Sequence, residues 1–393
     1  MKQIKISSFP NKDIKNFKNL KDNREKIINR TESKNVNGEY IVDKLAKSIH
    51  PSYQKLLIKN IIEVNSNTKI FYFCNALGDK LATFRPGQYI TLMFQFDDKF
   101  VSRPYSLSSS PNDALNNVYR INVTRVKNGI VSNYMLDNLD IGDVIDSLSP
   151  SGNFYPSIIR DKKQLVGIAR GYGISPLVSI AKSIEDKSLD KDLTIFYEAN
   201  GENEFIYKDE LNRLDNTSNN IKVIFINRNN AKNRITVNMI KSFVTAKFTV
   251  FACGDIDFYN EIKKELSVLN LGRKDLRLEC SHSIDENKNH IKEENTNSKA
   301  RKEFNIKVFS NNEEYNVTCA EDQTILSALE LSNVRVRSKC RSGECGYCRS
   351  LLLWGNVRIK EGVEHRRAAD IKFNYIHPCC TYPTSDITIK IDN

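Results

Sequence analysis

Three closely spaced cysteines, followed by an adjacent pair, are the most chemically distinctive residues of this 393-residue sequence. The string SKCRSGECGYCRS places Cys340, Cys345 and Cys348 in a C-x4-C-x2-C pattern, and Cys379 and Cys380 follow in HPCCTYP. Thiolates are soft ligands that bind iron–sulfur clusters and zinc. The spacing is that of a [2Fe–2S] site, whereas structural zinc sites usually pair two C-x2-C units. We therefore predict an iron–sulfur site, with a four-cysteine zinc site as the alternative.

Two glycines in the same string predict how the cysteines reach one point. Gly343 and Gly346 allow the loop to turn back on itself and bring backbone N–H groups close to the sulfur atoms. These residues alone leave open whether Cys379 or Cys380 completes the site. His377 precedes this pair, and we predict a surface or packing role for it rather than a role in tuning the cluster.

A second set of residues could bind a flavin. In RPYSLSSSP, Arg103 can neutralise a pyrophosphate with two parallel hydrogen bonds. Tyr105 can lie against an isoalloxazine face, and Ser106 can hydrogen-bond near the reactive N5 atom. About 25 residues further on, Gly129 and Ser132 open a predicted helix whose free N–H groups form an anion site. The alternative interpretation of each string is an ordinary capped turn.

A third set could bind a nicotinamide nucleotide. The apolar run QLVGIA leads into RGYGISPL, which places Gly171, Gly173 and Pro176 between a predicted strand and a predicted helix. A pyrophosphate-binding turn requires this placement, although a G-x-G pattern alone is weak evidence. Further along, FACGD ends a predicted strand with Cys253 and Gly254, at the edge where such sheets bind ligands. The alternative for Cys253 is a buried thiol at a strand end.

The elements that must position these residues divide the chain into five parts. We predict a basic N-terminal extension (1–50) and an antiparallel β-barrel (51–158), because short alternating β-type runs are separated by turn residues. Strands that alternate with helical segments predict a parallel α/β domain (159–282). A polar segment with few apolar side chains predicts a linker (283–302) before a small α+β domain (303–393).

Composition and charge exclude several classes of protein. With 40% hydrophobic and 27% charged residues the chain cannot be wholly disordered. No run approaches the ~18–20 apolar residues of a membrane span, and the N-terminus lacks a secretory apolar segment, so we predict a cytosolic protein. The net charge is +11, and residues 1–50 hold 12 Lys/Arg against 6 Asp/Glu. Without a recognition helix or zinc-finger spacing, this excess does not indicate nucleic-acid binding.

Together, these motifs resemble the ferredoxin–NADP reductase superfamily followed by a plant-type [2Fe–2S] ferredoxin. This order is similar to that of the phthalate dioxygenase reductase and hybrid-cluster-protein reductase group. The resemblance covers about residues 53–393 and leaves out the N-terminal extension. It implies an antiparallel β-barrel flavin domain, a parallel-sheet nucleotide domain and a β-grasp ferredoxin domain.

The resemblance also implies the residues that bind each cofactor. Among them, Cys379 is preferred over Cys380 because Pro383 and Asp386 complete the family's C-x3-P-x-x-D pattern. No general acid or nucleophile is implied beyond the cofactors, with Cys253 and Ser106 near the site of hydride transfer. The implied residues are Arg103, Tyr105, Ser106, Gly129, Val131 and Ser132 for the flavin; Gly171, Gly173, Ser175, Pro176, Cys253 and Gly254 for the nucleotide; and Cys340, Cys345, Cys348 and Cys379 for iron.

Within this group the sequence favours particular cofactors. RPYSLSSSP is closer to FAD-type than to FMN-type sequences. Many relatives carry an arginine for the nucleotide where this chain has Asn200, and Glu198 nearby would repel a 2′-phosphate. We therefore predict NADH, with NADPH left open by Lys208 and Arg228.

The resulting hypothesis is an electron-transfer chain from nicotinamide through flavin to cluster. The protein would mainly hold the nicotinamide and flavin about 3–3.5 Å apart, because the cofactors supply the difficult chemistry. The cluster would then reduce an external protein of unknown identity, either an oxygenase or an oxygen-independent enzyme. Two other classes remain: a permanently bound electron-transfer subunit that docks through residues 1–50, and a non-redox nucleotide-binding module stabilised by zinc.

Overall fold

The protein is represented by a computed structural model that divides into two compact units, residues 1–48 and 49–393. In the first unit, positions 19, 20, 22–24 and 26 are helical, and a second helix, α1 (Ile41–Ile49), has no buried side chain. The predicted linker lies outside the described residues except for position 302. The structure describes positions 19, 20, 22–24 and 26 and residues 40–97, 99–229, 233–272, 274–280, 302–360 and 364–391.

An antiparallel sheet of six strands, residues 53–151, forms what we call the barrel domain. Its elements are β1 (Tyr53–Asn65), β2 (Thr68–Asn75), β3 (Tyr89–Phe96), β4 (Lys99–Ser106), α2 (Pro111–Leu115), β5 (Tyr119–Thr124), α3 (Ile130–Asn138) and β6 (Val144–Ser151). The strand order is β4-β3-β6-β1-β2-β5. The first residues of β1 alternate between exposed and buried positions, as expected when one face of a strand covers a core.

A parallel sheet of five strands, residues 164–280, forms the parallel-sheet domain. Its elements are β7 (Gln164–Arg170), α4 (Ser175–Glu185), β8 (Asp192–Ala199), α5 (Lys208–Thr217), β9 (Ile221–Asn227), α6 (Val237–Phe243), β10 (Phe248–Gly254), α7 (Ile256–Leu266) and β11 (Leu276–Cys280). The strand order is β11-β10-β7-β8-β9, and every neighbouring pair is parallel. Helices cover both faces, so the strands are apolar along nearly their whole length.

Residues 303–391 form the C-terminal domain, in which a mixed sheet packs against a short helix. Its elements are β12 (Glu303–Ser310), β13 (Glu313–Ala320), α8 (Ile325–Leu331), β14 (Ser350–Trp354), β15 (Val357–Ile359), α9 (Ala368–Lys372), β16 (Tyr375–Ile376), β17 (Thr381–Pro383) and β18 (Ile387–Ile391). The main sheet has the order β13-β12-β18-β14-β16, and β15 pairs with β17. The Thr324 hydroxyl caps α8 by accepting the Ser327 N–H.

The predicted fold class is confirmed in all three domains: an antiparallel sheet, a parallel sheet with helices on both faces, and a small mixed sheet with helices. No helix among the described residues combines the length and the apolar character that a membrane crossing requires.

Candidate functional site

The cysteine loop connects α8 to β14 and turns sharply at both predicted glycines. Gly343 has φ +83° and Gly346 has φ +66°, in the left-handed region that glycine adopts without strain. The turns direct backbone N–H groups at sulfur: Cys345 donates to the Cys340 Sγ at 3.3 Å, and Tyr347 donates to the Cys345 Sγ at 3.4 Å. The loop thus has the N–H-to-sulfur geometry that the glycines predict.

The four cysteines predicted to bind iron are brought together. The Cys340 thiol is within hydrogen-bonding range of Cys345 and Cys379, and Cys379 also reaches Cys348. These hydrogen bonds hold the pKa of the Cys340 thiol well below its usual range. Cys380 instead directs its Sγ at the His377 carbonyl, 3.4 Å away, although it also contacts Cys379. In the described part of the chain, no group of three His, Cys, Asp or Glu side chains is arranged around one metal ion; the contacts run from sulfur to sulfur. Four adjoining soft thiols with N–H donors suit a [2Fe–2S] cluster.

His377 is a buried residue that contacts the backbone of the cysteine loop. It is 2% exposed, so a surface role is wrong and the predicted packing role is correct. Its Nδ1 lies 2.7 Å from the Gly343 carbonyl oxygen, and since a carbonyl only accepts, Nδ1 must carry the hydrogen. The imidazole thereby fixes the first turn of the cysteine loop.

The three flavin-strand residues lie at the end of β4. Tyr105 is half-buried and packs against the barrel core. Ser106 borders a narrow cleft that is described below. The Arg103 guanidinium donates to the Ser102 carbonyl at 2.8 Å and lies 3.5 Å from the Glu330 carboxylate in the C-terminal domain. The structure therefore places Arg103 at a domain boundary, and its predicted contact with the flavin phosphate remains a prediction.

The predicted anion site lies at the start of α3. The helix begins after Gly129, and Val131 and Ser132 are buried in its first turn. A Cβ on Gly129 would sit 2.4 Å from the Ser132 hydroxyl oxygen, so only glycine keeps this space open. Among the described residues, that buried hydroxyl has no hydrogen-bond partner. An unsatisfied hydroxyl beside free helix N–H groups fits a phosphate of FAD.

The predicted nucleotide turn packs against the end of β10. Gly171 (φ +55°) begins a single 3-10 turn, Gly171–Ile174, directly after β7. A Cβ on Gly173 would lie 2.4 Å from the Cys253 carbonyl oxygen, so this close approach requires glycine. The structure therefore brings together the two motifs that were predicted to bind the nucleotide. Ser175 and Pro176 follow in the first turn of α4, and the Cys253 side chain is fully buried.

A narrow cleft lies where the three domains meet. It is bordered by Ser106 of the barrel domain, Glu279 of the parallel-sheet domain and Cys340 of the C-terminal domain. The Glu279 Oε2 is buried there and has no hydrogen-bond partner among the described residues, and burial raises the pKa of this carboxyl well above its usual range. Sequence analysis did not predict Glu279 because β11 contains no recognisable motif. Only the fold brings this residue close to Ser106.

A buried polar network between the barrel and parallel-sheet domains was also missed. The Arg120 guanidinium pairs with the Glu210 carboxylate at 2.9 Å and lies 4.6 Å from the centre of the Tyr207 ring. The Ser175 hydroxyl hydrogen-bonds the Asn122 side chain. These pairs are far apart in the sequence, so no local pattern could reveal them. They hold the nucleotide turn against the flavin strands.

A cavity of about 520 Å³ lies at the carboxyl ends of β7 and β8, where parallel sheets bind ligands. Its lining includes Arg170 and Glu198. Glu198 is 1% exposed and pairs with Arg170 at 2.9 Å and Arg228 at 3.8 Å. The other cation left open for a 2′-phosphate, Lys208, pairs with Glu202. Both cations therefore already face carboxylates.

Family models match the chain in three consecutive segments. The oxidoreductase FAD-binding domain matches residues 55–155, and the oxidoreductase NAD-binding domain matches residues 168–264. The 2Fe-2S iron–sulfur cluster binding domain matches residues 308–384. The predicted cofactor set of FAD, nicotinamide nucleotide and a [2Fe–2S] cluster is confirmed.

Two relatives align with the chain over most of their own length. The ferredoxin reductase component of 3-ketosteroid-9-alpha-monooxygenase from Rhodococcus rhodochrous is 26% identical, and the match covers 84% of this chain and 94% of that protein. The reductase subunit of glycine betaine monooxygenase from Chromohalobacter salexigens is 23% identical over 78% of this chain and 87% of that protein.

The solved structure of phthalate dioxygenase reductase has the same fold. The match has a TM-score of 0.63 and 22% identity, and it covers 87% of this chain and 98% of that one. The two proteins therefore share the fold of all three domains.

Proposed function

We propose that this chain is the reductase component of an oxygenase. It belongs to the ferredoxin–NADP reductase superfamily and carries a C-terminal plant-type [2Fe–2S] ferredoxin domain. The chain is an NAD(P)H-dependent oxidoreductase that delivers electrons to a protein acceptor. Assignment of that acceptor as an oxygenase is supported by the two relatives that align along nearly their whole length, since both are reductase parts of monooxygenases.

One observation carries the proposal: residues of all three domains border a single cleft. Ser106, Glu279 and Cys340 line it, so the candidate flavin strand and the candidate cluster loop border the same cleft. When bound, FAD accepts a hydride from the nicotinamide and the [2Fe–2S] cluster carries single electrons onward. Because electrons must pass between these groups, their binding residues have to adjoin, as they do here.

The chain's own residues then act by binding and positioning. Gly129 and Ser132 hold the flavin phosphate, while Tyr105 and Ser106 orient the ring. Gly171 and Gly173 shape the turn that receives the nucleotide pyrophosphate, beside the end of β10. The four thiols Cys340, Cys345, Cys348 and Cys379 hold iron.

We further infer that the preferred donor is NADH. The Glu198 carboxylate is buried beside the nucleotide edge of the sheet, and it neutralises the arginines that a 2′-phosphate would need. A phosphate entering here would meet a buried negative charge and would have to displace it from Arg170 and Arg228, at a cost of several kcal/mol. A ribose 2′-hydroxyl meets no such barrier.

An anaerobic visible spectrum of the purified protein, recorded before and after addition of NADH and separately of NADPH, tests these proposals. We expect flavin and broad iron–sulfur bands that both bleach with NADH, and much more slowly with NADPH. Flavin bands without a cluster, together with bound zinc, would instead indicate the zinc-stabilised module. Faster bleaching with NADPH would overturn the choice of donor.

If NADH bleaches the flavin and iron–sulfur bands fully and a purified oxygenase component then restores them by oxidising the protein, the oxygenase assignment is supported. If the native protein is always recovered in a complex with another enzyme, and its electrons reach only that enzyme, the permanently bound subunit is correct instead.

A further inference from the structure

Cys345 differs from the other three candidate iron ligands in its exposure to solvent. The other three candidate ligands are buried: Cys340 is 7% exposed, and Cys348 and Cys379 are each 3% exposed. The Cys345 residue is exposed. An electron leaving for another protein has its shortest route to solvent through this sulfur.

An open crevice lies next to Tyr347, the residue whose backbone contacts this sulfur. The Tyr347 N–H donates to the Cys345 Sγ at 3.4 Å, and the Tyr347 side chain, 38% exposed, lines a cavity of about 710 Å³. The opposite wall comes from the barrel domain, where Met93 and Phe100 contribute apolar surface. The crevice therefore lies between two domains, and one of its lining residues contacts the exposed ligand.

The wall on the cluster side is basic. Residues 303–393 hold 12 Lys/Arg and 12 Asp/Glu, and the segment 333–349 holds five Lys/Arg and one Asp/Glu. Of these five, Arg341 is buried against Glu330 and Arg349 pairs with Asp370, which leaves three cations near the crevice. Within that segment Arg335 and Arg337 line the crevice, and the Lys339 amine lies 4.4 Å from the centre of the Tyr347 ring. A domain with no net charge thus presents a positive face next to its exposed cysteine.

The two carboxylates that line the crevice pair with basic side chains other than Arg335, Arg337 and Lys339. Asp146 pairs with Lys55 at 3.0 Å, and Glu330 is held between Arg103 and Arg341. Arginine and aromatic side chains around a concave surface are typical of the centres of protein–protein interfaces.

We propose that this crevice is the docking site for an acidic segment of the protein electron acceptor, with Arg335, Arg337 and Lys339 binding its carboxylates and Tyr347 forming the contact surface beside Cys345. The inference rests on the proposed function for the acceptor's role in electron transfer. Docking itself requires only charge complementarity, which is measurable without turnover.

The test uses the full-length oxidised protein and a fluorescein-labelled peptide of ten glutamates, whose binding is followed by fluorescence anisotropy at low and moderate salt. We expect Arg337→Glu to weaken binding about tenfold and Arg337→Gln to weaken it by less. Arg213→Glu is the matched control, because it lowers the net charge equally but lies on α5 of the parallel-sheet domain and pairs there with Glu185. It should change binding less than twofold.

Equal weakening by Arg337→Glu and Arg213→Glu would overturn the proposal, because binding would then follow net charge alone. The same holds if a ten-residue thymidine oligonucleotide displaces the peptide and loses affinity by the same factor in Arg337→Glu, since a nucleic acid would then be the better occupant. Cluster bands in the visible spectrum of each variant verify folding. If the peptide binds as expected but NADH fails to bleach those bands, the proposed function fails while the docking site stands.

Discussion

The barrel domain meets its two neighbours in different ways. Its boundary with the parallel-sheet domain contains several buried or half-buried polar contacts: Arg120 with Glu210 at 2.9 Å, Lys182 with Asp113 at 2.7 Å, and the Ser179 hydroxyl on the Ser109 carbonyl at 2.7 Å. Apolar residues are shared as well, since Ile70 and Phe154 belong to the core of the parallel-sheet domain.

The boundary with the C-terminal domain depends on fewer described polar contacts and leaves the crevice open. Across this boundary Glu330 lies 3.5 Å from Arg103, and the Ser102 and Ser338 hydroxyls hydrogen-bond at 2.7 Å. Within the C-terminal domain Glu330 also lies 2.6 Å from Arg341. The C-terminal domain finds further apolar support on α7, where Tyr259 shares a cluster with Cys348 and Cys379.

The difference corresponds to what each boundary must do. Hydride transfer requires fixed geometry within a few tenths of an ångström, and many interlocked contacts provide it. Transfer of single electrons tolerates longer distances between cofactors than hydride transfer does. A boundary held mainly by the charged residues around Glu330 is therefore sufficient. The space that it leaves beside Cys345 remains accessible to a partner.

The largest expected effect is loss of the iron–sulfur cluster without loss of flavin reduction. Cys379→Ser should abolish the iron–sulfur bands almost completely, because serine is a poor ligand for iron, while NADH still bleaches the flavin. Cys380→Ser is the matched control and should keep the cluster, since its thiol lies on the His377 carbonyl. Iron content and low-temperature EPR of the reduced protein measure both. Loss of the cluster in the Cys380 variant alone would reverse the ligand assignment.

The next largest effect is expected when the charge of Glu330 is removed, at the boundary between the barrel domain and the C-terminal domain. Glu330→Gln leaves two buried arginines without their carboxylate, which we expect to destabilise the C-terminal domain by about 3 kcal/mol. The only tryptophan, Trp354, lies in that domain, so its fluorescence in urea reports the change. Glu314→Gln, an exposed pair with Lys307, should cost less than about 1 kcal/mol. An equal shift in both variants would show that Glu330 has no special role.

A smaller effect is expected at the boundary between the barrel domain and the parallel-sheet domain, where other polar contacts remain after one is removed. Arg120→Met removes the ion pair with Glu210 and should cost about 2 kcal/mol, while Lys182 still lies 3.9 Å from that carboxylate. Stopped-flow reduction by NADH should slow by about tenfold as the domains lose their fixed geometry. Unchanged reduction kinetics in Arg120→Met would contradict the distinction between the boundaries. Arg213→Met, at an exposed pair on the same domain, serves as the comparison.

The smallest expected effect concerns a single hydroxyl. Ser132→Ala removes one donor to the flavin phosphate, so the Kd for FAD should rise about fivefold, corresponding to about 1 kcal/mol. Quenching of flavin fluorescence during titration of apoprotein measures this change. Ser151→Ala, whose hydroxyl bonds the Ser149 carbonyl, should leave the Kd unchanged. Equal affinities in all three proteins would remove Ser132 from the site.

How far the sequence predicts this molecule depends on how local each feature is. The cysteine loop lies within nine positions, 340–348, so its spacing alone indicates both its chemistry and its turns. The glycine turns after β7 and before α3 are equally local. Glu279 and Glu330 carry no motif, because each matters through a residue of another domain: Glu279 through Ser106 and Glu330 through Arg103. His377 was predicted as a surface or packing residue, and only burial distinguishes the two.

The contact between Gly173 and Cys253 has a consequence for engineering. The turn after β7 and the end of β10 are 80 positions apart, yet their backbones touch so closely that a methyl group on Gly173 would lie 2.4 Å from the Cys253 carbonyl oxygen. Exchanging either loop alone for a segment of different backbone shape would therefore disturb this contact. A chimaera that swaps both segments as a matched pair would preserve the fit between them.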